Sequence, residues 1–585
     1  MQYAWPFFCL NFKSTIMVYL LVLLLILCAV IAWTAYSRSQ NRTKKLQSVI
    51  DKWGKPLGSE RNFKLIAPYF NYCNTGNNIL TDAIVEDLDL EDLFAYIDRT
   101  NSKPGQQYLY QKLRMPEGST KELLELDELS SRFEADERLR RLVELELLAL
   151  SGKNAYYLQE LFTTQYRALY NGFLRVYIKL AALLNLAALI LTVVLHNQYF
   201  FFLTLAFTLF NLYLHYGNKR KISGYVHSLP QLHALINISK KLYTLVPGST
   251  ADVNGSLNSL AKLNKSLSMI SFQERAAADP NDLAFAFTEL LKIFFLIEPA
   301  MFLLSVDQLN ERRQDIERLY VYVGGVDMAI SVVSLRTSLP FYSKPEFISS
   351  GEMKMADLYH PLIPGCVANS LTVTATQGTL ITGSNMSGKT TFIRAVAINA
   401  IMAQTLFTSC TKSYSAPFVQ ILTSIRLSDD LEEHKSYFQS EAISMLNILR
   451  KSESPMPSLI IIDEIFRGTN TIERVAAAKA ILSFLTASRN FTFVSTHDLE
   501  LAELLGNEYA TYSFEEKIAE SHSGDHLGER LGERLVFDYL IKPGILKNKN
   551  GIAILQALGY PKAVVDEALA TSRVLNKKYN LNTSD

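Results

Sequence analysis

Polar and apolar positions fall into three textures along the 585 residues. In the first, apolar residues run on without alternation. Ile16 to Ala35 is an uncharged run of this kind, about the twenty residues a helix needs to cross a bilayer. A secretory leader fits it less well, because the apolar core is long and a basic stretch with Arg38, Arg42, Lys44 and Lys45 follows it. Leu180 to Leu195, broken only by Asn185, and Tyr199 to Tyr216 form two more runs, separated by His196-Asn197-Gln198. They predict a transmembrane hairpin; the competing reading is a pair of buried helices in a soluble bundle.

The second texture is helical. From Ile79 to about Leu169, Leu recurs at three- and four-residue spacing among alternating acids and bases, and residues 225–320 are again helical with few breakers. The third begins near Leu339-Pro340. Short β-branched runs, Thr379–Thr382, Leu459–Ile462 and Phe491–Ser495, alternate with helical segments. Continuous apolar strands between helices predict a buried, mostly parallel sheet. Within it, Glu515 to Arg534 is polar, repeats Leu-Gly-Glu-Arg and reads as an exposed loop insertion.

Charge orients the spans. Arg175 and Lys179 precede the hairpin and Lys219-Arg220-Lys221 follows it, whereas its turn has neither Lys nor Arg. The positive-inside bias therefore puts 37–173 and 217–585 on the cytosolic side of an inner (cytoplasmic) membrane. The basic stretch after the first span suits anionic lipid, with DNA contact as the lesser alternative. The formal net charge of +1 carries no overall basic footprint for nucleic acid. Five cysteines without a C-x-x-C pair argue against a zinc site and a disulfide framework.

The chemistry is concentrated in the third texture. Gly383-Ser384-Asn385-Met386-Ser387-Gly388-Lys389-Thr390, followed by Thr391, directly continues an apolar strand. This is the G-x-x-x-x-G-K-[ST] phosphate loop, whose glycines let backbone N–H groups face a phosphate at a helix start. Lys389 reaches the β- and γ-phosphates of ATP, and Thr390 ligates Mg²⁺. Leu459 to Ile462 leads into Asp463-Glu464. Asp463 is the second Mg²⁺ residue, and Glu464 is the group that polarises the attacking water. Phe491 to Ser495 leads into Thr496-His497, where His497 can hydrogen-bond the γ-phosphate. Ser428-Asp429-Asp430-Leu431 and Ser436-Tyr437-Phe438-x-x-Glu441 have no part in a one-chain site. They make sense if Ser436 completes the site of a second subunit. Arg467-Gly468-Thr469-Asn470 reads as a tight loop at that interface.

Together these motifs resemble the ATPase domain of the MutS family of DNA mismatch-repair proteins. His360-Pro361 and Asn369 match positions ahead of that family's phosphate loop, and Asp98-Arg99-Thr100 through Leu113 is similar to the start of its helical core. Tyr539, Lys542-Pro543-Gly544 and Gly551 to Leu569 resemble its C-terminal tail. The resemblance implies an α/β ABC-type P-loop ATPase domain preceded by an all-α helical core. It also implies a homodimer with composite sites, in which Ser436 touches the partner's γ-phosphate and ATP state moves a core that embraces DNA. The chain departs from the family in several ways, one being Phe466 where a Gly is usual. No counterpart of the mismatch-reading domain or the connector is found, the hairpin interrupts the helical core, and Cys366-Val367 stand where an adenine-stacking aromatic is usual.

The expected order is a non-cytosolic tail (1–15), a span (16–36), a basic juxtamembrane segment (37–78), a first helical part (79–173) and the hairpin (174–217). A second helical part (218–339), the ATPase domain (340–545) and a helical tail (546–585) follow. The expected function is a membrane-anchored, Mg²⁺-dependent ATPase coupled to DNA, with direct mismatch recognition set aside. An ATP-switched membrane scaffold without nucleic acid is the alternative. Transport is disfavoured by the small number of spans and their lack of mid-span charge.

Overall fold

Helix Arg313–Ser338 is the centre of the helical part. It is buried on nearly all sides from Ile316 to Arg336, and the polar side chains it buries, Asp327, Ser331, Ser334 and Arg336, are hydrogen-bonded. Helix Lys103–Arg114 crosses it closely, because Gly105 lies against Asp327 and Gly324 against the Tyr108 ring. A Cβ at Gly105 would collide with an Asp327 carboxylate oxygen. The Asp327 carboxylate accepts from the Asn101 N–H at 2.9 Å, the Ser102 N–H at 2.7 Å and the Ser102 hydroxyl at 2.6 Å. Ser102 in turn caps the helix by accepting from Gly105 N–H. The segment Asp98–Ser102 is thus stapled to the central helix at its most buried point.

The computed structural model describes the chain from residue 33, except 34–35, 38, 59, 75–77, 117–118, 165–171, 248–251, 277–289, 385–386, 427–436, 467–469, 519–534, 546–551, 553–554, 556–558 and 579–585. The expected first span therefore lies almost wholly outside the described residues.

The hairpin is formed by helix Gly172–Leu195 and the start of helix Gln198–Leu245, capped by the Asn197 side chain. Ile190, Val193, Val194, Phe201, Phe202 and Leu209 are among the many large apolar side chains that face outward along it. One difference from the sequence expectation concerns its end. The apolar stretch ends at Gly217, but the helix does not; it is 48 residues long in all and continues to Leu245 in the helical core. The Lys219-Arg220-Lys221 cluster interrupts hydrophobicity but not helix propensity, since Lys and Arg are good helix formers.

The C-terminal part holds ten strands among the described residues. Strands β4 (Gly378–Thr382), β6 (Gln420–Ser424), β7 (Ser458–Asp463), β8 (Phe491–Thr496), β9 (Tyr509–Ile518) and β10 (Leu535–Pro543) make one sheet, in the order β10-β9-β4-β8-β7-β6. It is parallel except for the β9–β10 pair. Every residue of β4 and β8 is buried, because helices Lys389–Leu406 and Thr471–Ala487 cover the strands. A second sheet was not foreseen. Strands β1 (Glu346–Phe347), β2 (Glu352–Leu358), β3 (Asn369–Thr374) and β5 (Ser413–Ala416) pair in the order β1-β5-β2-β3, mostly antiparallel. The polar stretch from Glu515 is also not loop throughout. Glu515 to Ile518 continue β9, and Glu516, Lys517 and Ile518 pair antiparallel with the start of β10.

Candidate functional site

Three neighbouring parallel strands, β4, β8 and β7, end side by side at their C-terminal edges. Ligands of open α/β sheets bind at that edge. From β4 the chain enters Gly383, at φ 150°, and passes Gly388, at φ 100°, before helix Lys389–Leu406 begins. Both values lie where side chains are strained. At Gly383 a Cβ would also come within 2.9 Å of the Phe514 carbonyl oxygen. The first turn of that helix directs its N–H groups toward the loop. Lys389 is buried and donates through Nζ to the carbonyls of Gly383, at 2.6 Å, and Ser384, at 2.7 Å. Ser387 also donates to Ser384 O, which tightens the turn. Asn385 and Met386 lie outside the described residues.

Thr390 donates from Oγ1 to Asp463 at 3.0 Å, and Ser495 donates to the other Asp463 oxygen. A hydroxyl and a carboxylate held together beside a phosphate loop are a fitting donor set for Mg²⁺. Among the described residues no group of three or more His, Cys, Asp or Glu side chains gathers as a metal site, so any ion here would take most of its ligands from phosphate and water.

One residue on, the backbone turns sharply. Glu464 has φ 56° and Phe466 φ 59°, conformations uncommon outside glycine and asparagine. The turn is held by Glu464 N–H donating to Ser495 O at 2.9 Å and by Phe466 N–H donating to the buried Glu441 carboxylate. It brings Glu464 Oε1 within 2.9 Å of His497 Nε2. Arg474 braces the neighbouring loop with two hydrogen bonds to Asp498. The sequence-derived residues Lys389, Thr390, Asp463, Glu464 and His497 thus share one strand edge. Ser436, Ser428–Leu431 and Arg467–Thr469 lie outside the described residues, and nothing is assigned to them here. Glu441, the last residue of the Ser-Tyr-Phe-x-x-Glu segment, sits under the turn after Glu464.

Beside the loop is a cavity of about 470 Å³, bordered by His360, Cys366, Val367, Asn369, Thr391 and Tyr539. Asn369 donates to Tyr539 O at 3.0 Å and accepts from Ile541 N–H at 2.8 Å. This fixes an irregular stretch of β10 in which Tyr539 adopts φ 52°. The Tyr539 ring stacks on Phe537 and stands over Gly388. Tyr539, from the far end of the domain, thus borders the same cavity as Cys366-Val367. The signal available in sequence was Asn369 itself, a polar residue at a strand start, which also donates to Val367 O at 3.3 Å. His360 lines the same cavity, and burial, with Arg394 nearby, holds its imidazole well below the ordinary range, at about 4, against the opposing pull of Asp89.

One turn of the helical part makes a cluster of polar contacts with this domain. Asp87 accepts from Thr423 Oγ1, Ile425 N–H and Arg426 N–H, and Asp89 pairs with Arg394 at 2.9 Å and with Arg426 at 2.7 Å. Arg394 lies on the helix that starts at Lys389.

Residues 379–576 match a family model described as MutS domain V. The chain is 30% identical over 276 residues to DNA mismatch repair protein MutS of Clostridium tetani (strain Massachusetts / E88), covering 44% of this chain and 30% of that protein. It is 32% identical over 258 residues to MutS protein homolog 4 of Mus musculus, covering 42% of this chain and 26% of that protein. A similar match joins it to DNA mismatch repair protein MutS of Staphylococcus haemolyticus (strain JCSC1435), 32% over 253 residues, covering 42% of this chain and 27% of that protein. The chain spans under a third of the length of these relatives.

Proposed function

We propose that this chain, a MutS-family protein by its C-terminal domain, is a membrane-anchored ATPase that works as a homodimer and couples its ATP cycle to DNA. The observation that carries the reading is the convergence of Lys389, the Thr390–Asp463 pair and the Glu464–His497 pair on one strand edge beside a phosphate loop. In this reading the domain has the P-loop ATPase fold. Lys389 exchanges two loop carbonyls for phosphate oxygens when nucleotide enters. Thr390 and Asp463 would hold Mg²⁺, which neutralises charge on the β- and γ-phosphates. Glu464 orients and deprotonates the attacking water, and His497 holds Glu464 and reads the γ-phosphate. Tyr539 offers the purine a stacking face opposite Cys366-Val367. Ser436 of one subunit completes the other's site.

The membrane part of the proposal rests on the outward-facing apolar hairpin and its basic flanks. A short outer tail and three spans would then leave the ATPase domain in the cytosol. The DNA part rests on the named relatives and the helical core. A scaffold without nucleic acid is the second reading, favoured by the neutral net charge.

The test is ATP binding and hydrolysis by the detergent-purified chain, alone and with homoduplex, mismatched and branched DNA at stated salt. Lys389→Ala is expected to remove most nucleotide affinity. Glu464→Gln is expected to keep ATP binding and lose hydrolysis by about 10² or more; normal hydrolysis would overturn the assignment of the base. A chain that neither binds DNA at low salt nor is stimulated by it would overturn the DNA coupling in favour of the scaffold.

A further inference from the structure

Asn185 is the one polar residue between Leu180 and Leu195 apart from Thr192, and its position has a structural reason. Asn185 and Asn211, one on each hairpin helix, are both fully buried. Each donates its side-chain N–H to the same acceptor, the backbone carbonyl of Phe294, at 2.6 and 2.8 Å. Tyr177 closes the network by donating to Asn211 Oδ1 at 2.8 Å. The chain is helical from 290 to 294, breaks at Phe295-Leu296, where Leu296 has φ 51°, and is helical again over Ile297–Glu311. The second of these helices packs on both helices of the hairpin.

Depth decides what this means. At 1.5 Å per residue, Asn185 lies about 15 Å from the turn end of its helix and Asn211 about 20 Å from the start of its own. Phe294 O is therefore roughly half-way across a hydrocarbon core of about 30 Å. Non-helical backbone at that depth is tolerated only where protein groups satisfy it, and the two asparagines do so. The surroundings are apolar: Leu209, Leu212, Leu290, Leu291 and Ile293 border an open groove beside Phe294, and Leu290 is 65% exposed. The flanking sequence from Leu283 to Val306 is apolar apart from Thr288, Glu289, Lys292, Glu298 and Ser305, and Lys292 is engaged within the protein.

We propose that the segment around Phe294 is a re-entrant membrane element, clasped at mid-bilayer by Asn185 and Asn211 and exposing Leu290 and the adjoining groove to phospholipid acyl chains. This rests on the hairpin's being membrane-spanning and goes beyond it, because it adds a fourth contact with the bilayer that no run of twenty apolar residues announces. It also gives the membrane a route into the core. Helix Ile297–Glu311 leads directly to Arg313 and the central helix.

The experiment uses the full chain in phosphatidylcholine vesicles containing a lipid with a diazirine at mid-acyl chain, with photo-labelled peptides mapped by mass spectrometry. Labelling of both 180–210 and 290–296 is expected. Labelling of the hairpin with none at 290–296 overturns this inference and leaves the hairpin reading intact; absence of label from both overturns the two together. Replacing both asparagines (Asn185→Leu with Asn211→Leu) is expected to lower labelling of 290–296 by about tenfold relative to the hairpin peptide, as expected for loss of two interhelical hydrogen bonds. Hairpin labelling reports that the variant is folded and inserted. Unchanged labelling at 290–296 in that variant would show that the asparagines do not hold the segment.

Discussion

Among the described residues, two regions are long, helical and apolar enough to cross a membrane, yet they have opposite surroundings. In the hairpin, the most apolar windows of Gly172–Leu195 and Gln198–Gly217 are 22% and 17% buried; in Arg313–Ser338 the corresponding window is 83% buried. Composition alone does not separate the second hairpin helix from the central one. What separates them is the pattern of small and polar residues. The central helix carries Gly324, Asp327, Ser331 and Ser334 on faces met by other segments. The hairpin carries Phe, Leu and Val outward and reserves Asn185 and Asn211 for one buried acceptor. A helix surrounded by protein needs close approach and polar partners; a helix surrounded by acyl chains needs neither over most of its surface.

The contrast can be broken most forcefully with a charge. Ala329→Asp buries an unpartnered carboxylate at a fully buried position, and an expected loss of about 3–5 kcal/mol should abolish cooperative unfolding followed by circular dichroism in detergent. Leu183→Asp, at a 64% exposed position, should leave that transition within about 0.5 kcal/mol. It should instead reduce retention in membranes by sucrose flotation. Equal effects of the two variants on unfolding would erase the distinction.

A smaller effect comes from Asp327, whose carboxyl is pushed from 3.8 up to about 6 by burial, against the bonds from Asn101 and Ser102 that favour the charged form. Its folded-state value exceeds the unfolded one, so its contribution is fully present below about pH 4 and is lost as pH rises through about 6. At 1.36 kcal/mol per unit this amounts to about 3 kcal/mol. Denaturant titrations from pH 4 to 6.5 should show that slope in the parent chain and a flatter one in Asp327→Asn. No hairpin substitution should alter it.

The mildest test applies one substitution to both regions. Gly105→Ala drives a methyl into Asp327 and is expected to cost about 1–3 kcal/mol. Gly217→Ala, with nothing within 4 Å of the added atom, should stabilise its helix by up to about 1 kcal/mol. Thermal melts of the two variants should shift in opposite directions.

Much of the candidate site was legible because its residues come in contiguous groups. The phosphate loop and the Asp463-Glu464 and Thr496-His497 pairs are each contiguous, and each follows an apolar strand. The helical hairpin was legible because its apolar runs are nearly unbroken. What escaped depends on distant residues meeting. Tyr539 reaches the cavity only because Asn369 pins its strand, and Phe294 matters only through two asparagines from other helices. Glu289, Lys292 and Glu298 hid the latter segment by interrupting its hydrophobicity. Of the second sheet, β1 and β5 are too short, at two and four residues, to show a period, whereas the alternation in β3 was there to be read.

The unbroken helix Gln198–Leu245 has a mechanical consequence. With 48 residues it is about 72 Å long. A tether of loop would absorb motion between the hairpin and the core; a stiff rod transmits it. Rocking the rod by about 5° about its core end would carry its far tip sideways by about 6 Å, comparable to half the width of a helix. The weak point of such a rod is Pro230, which cannot donate its hydrogen bond to the preceding turn. Bending of this rod is therefore easiest at a single residue, on the core side of the basic cluster.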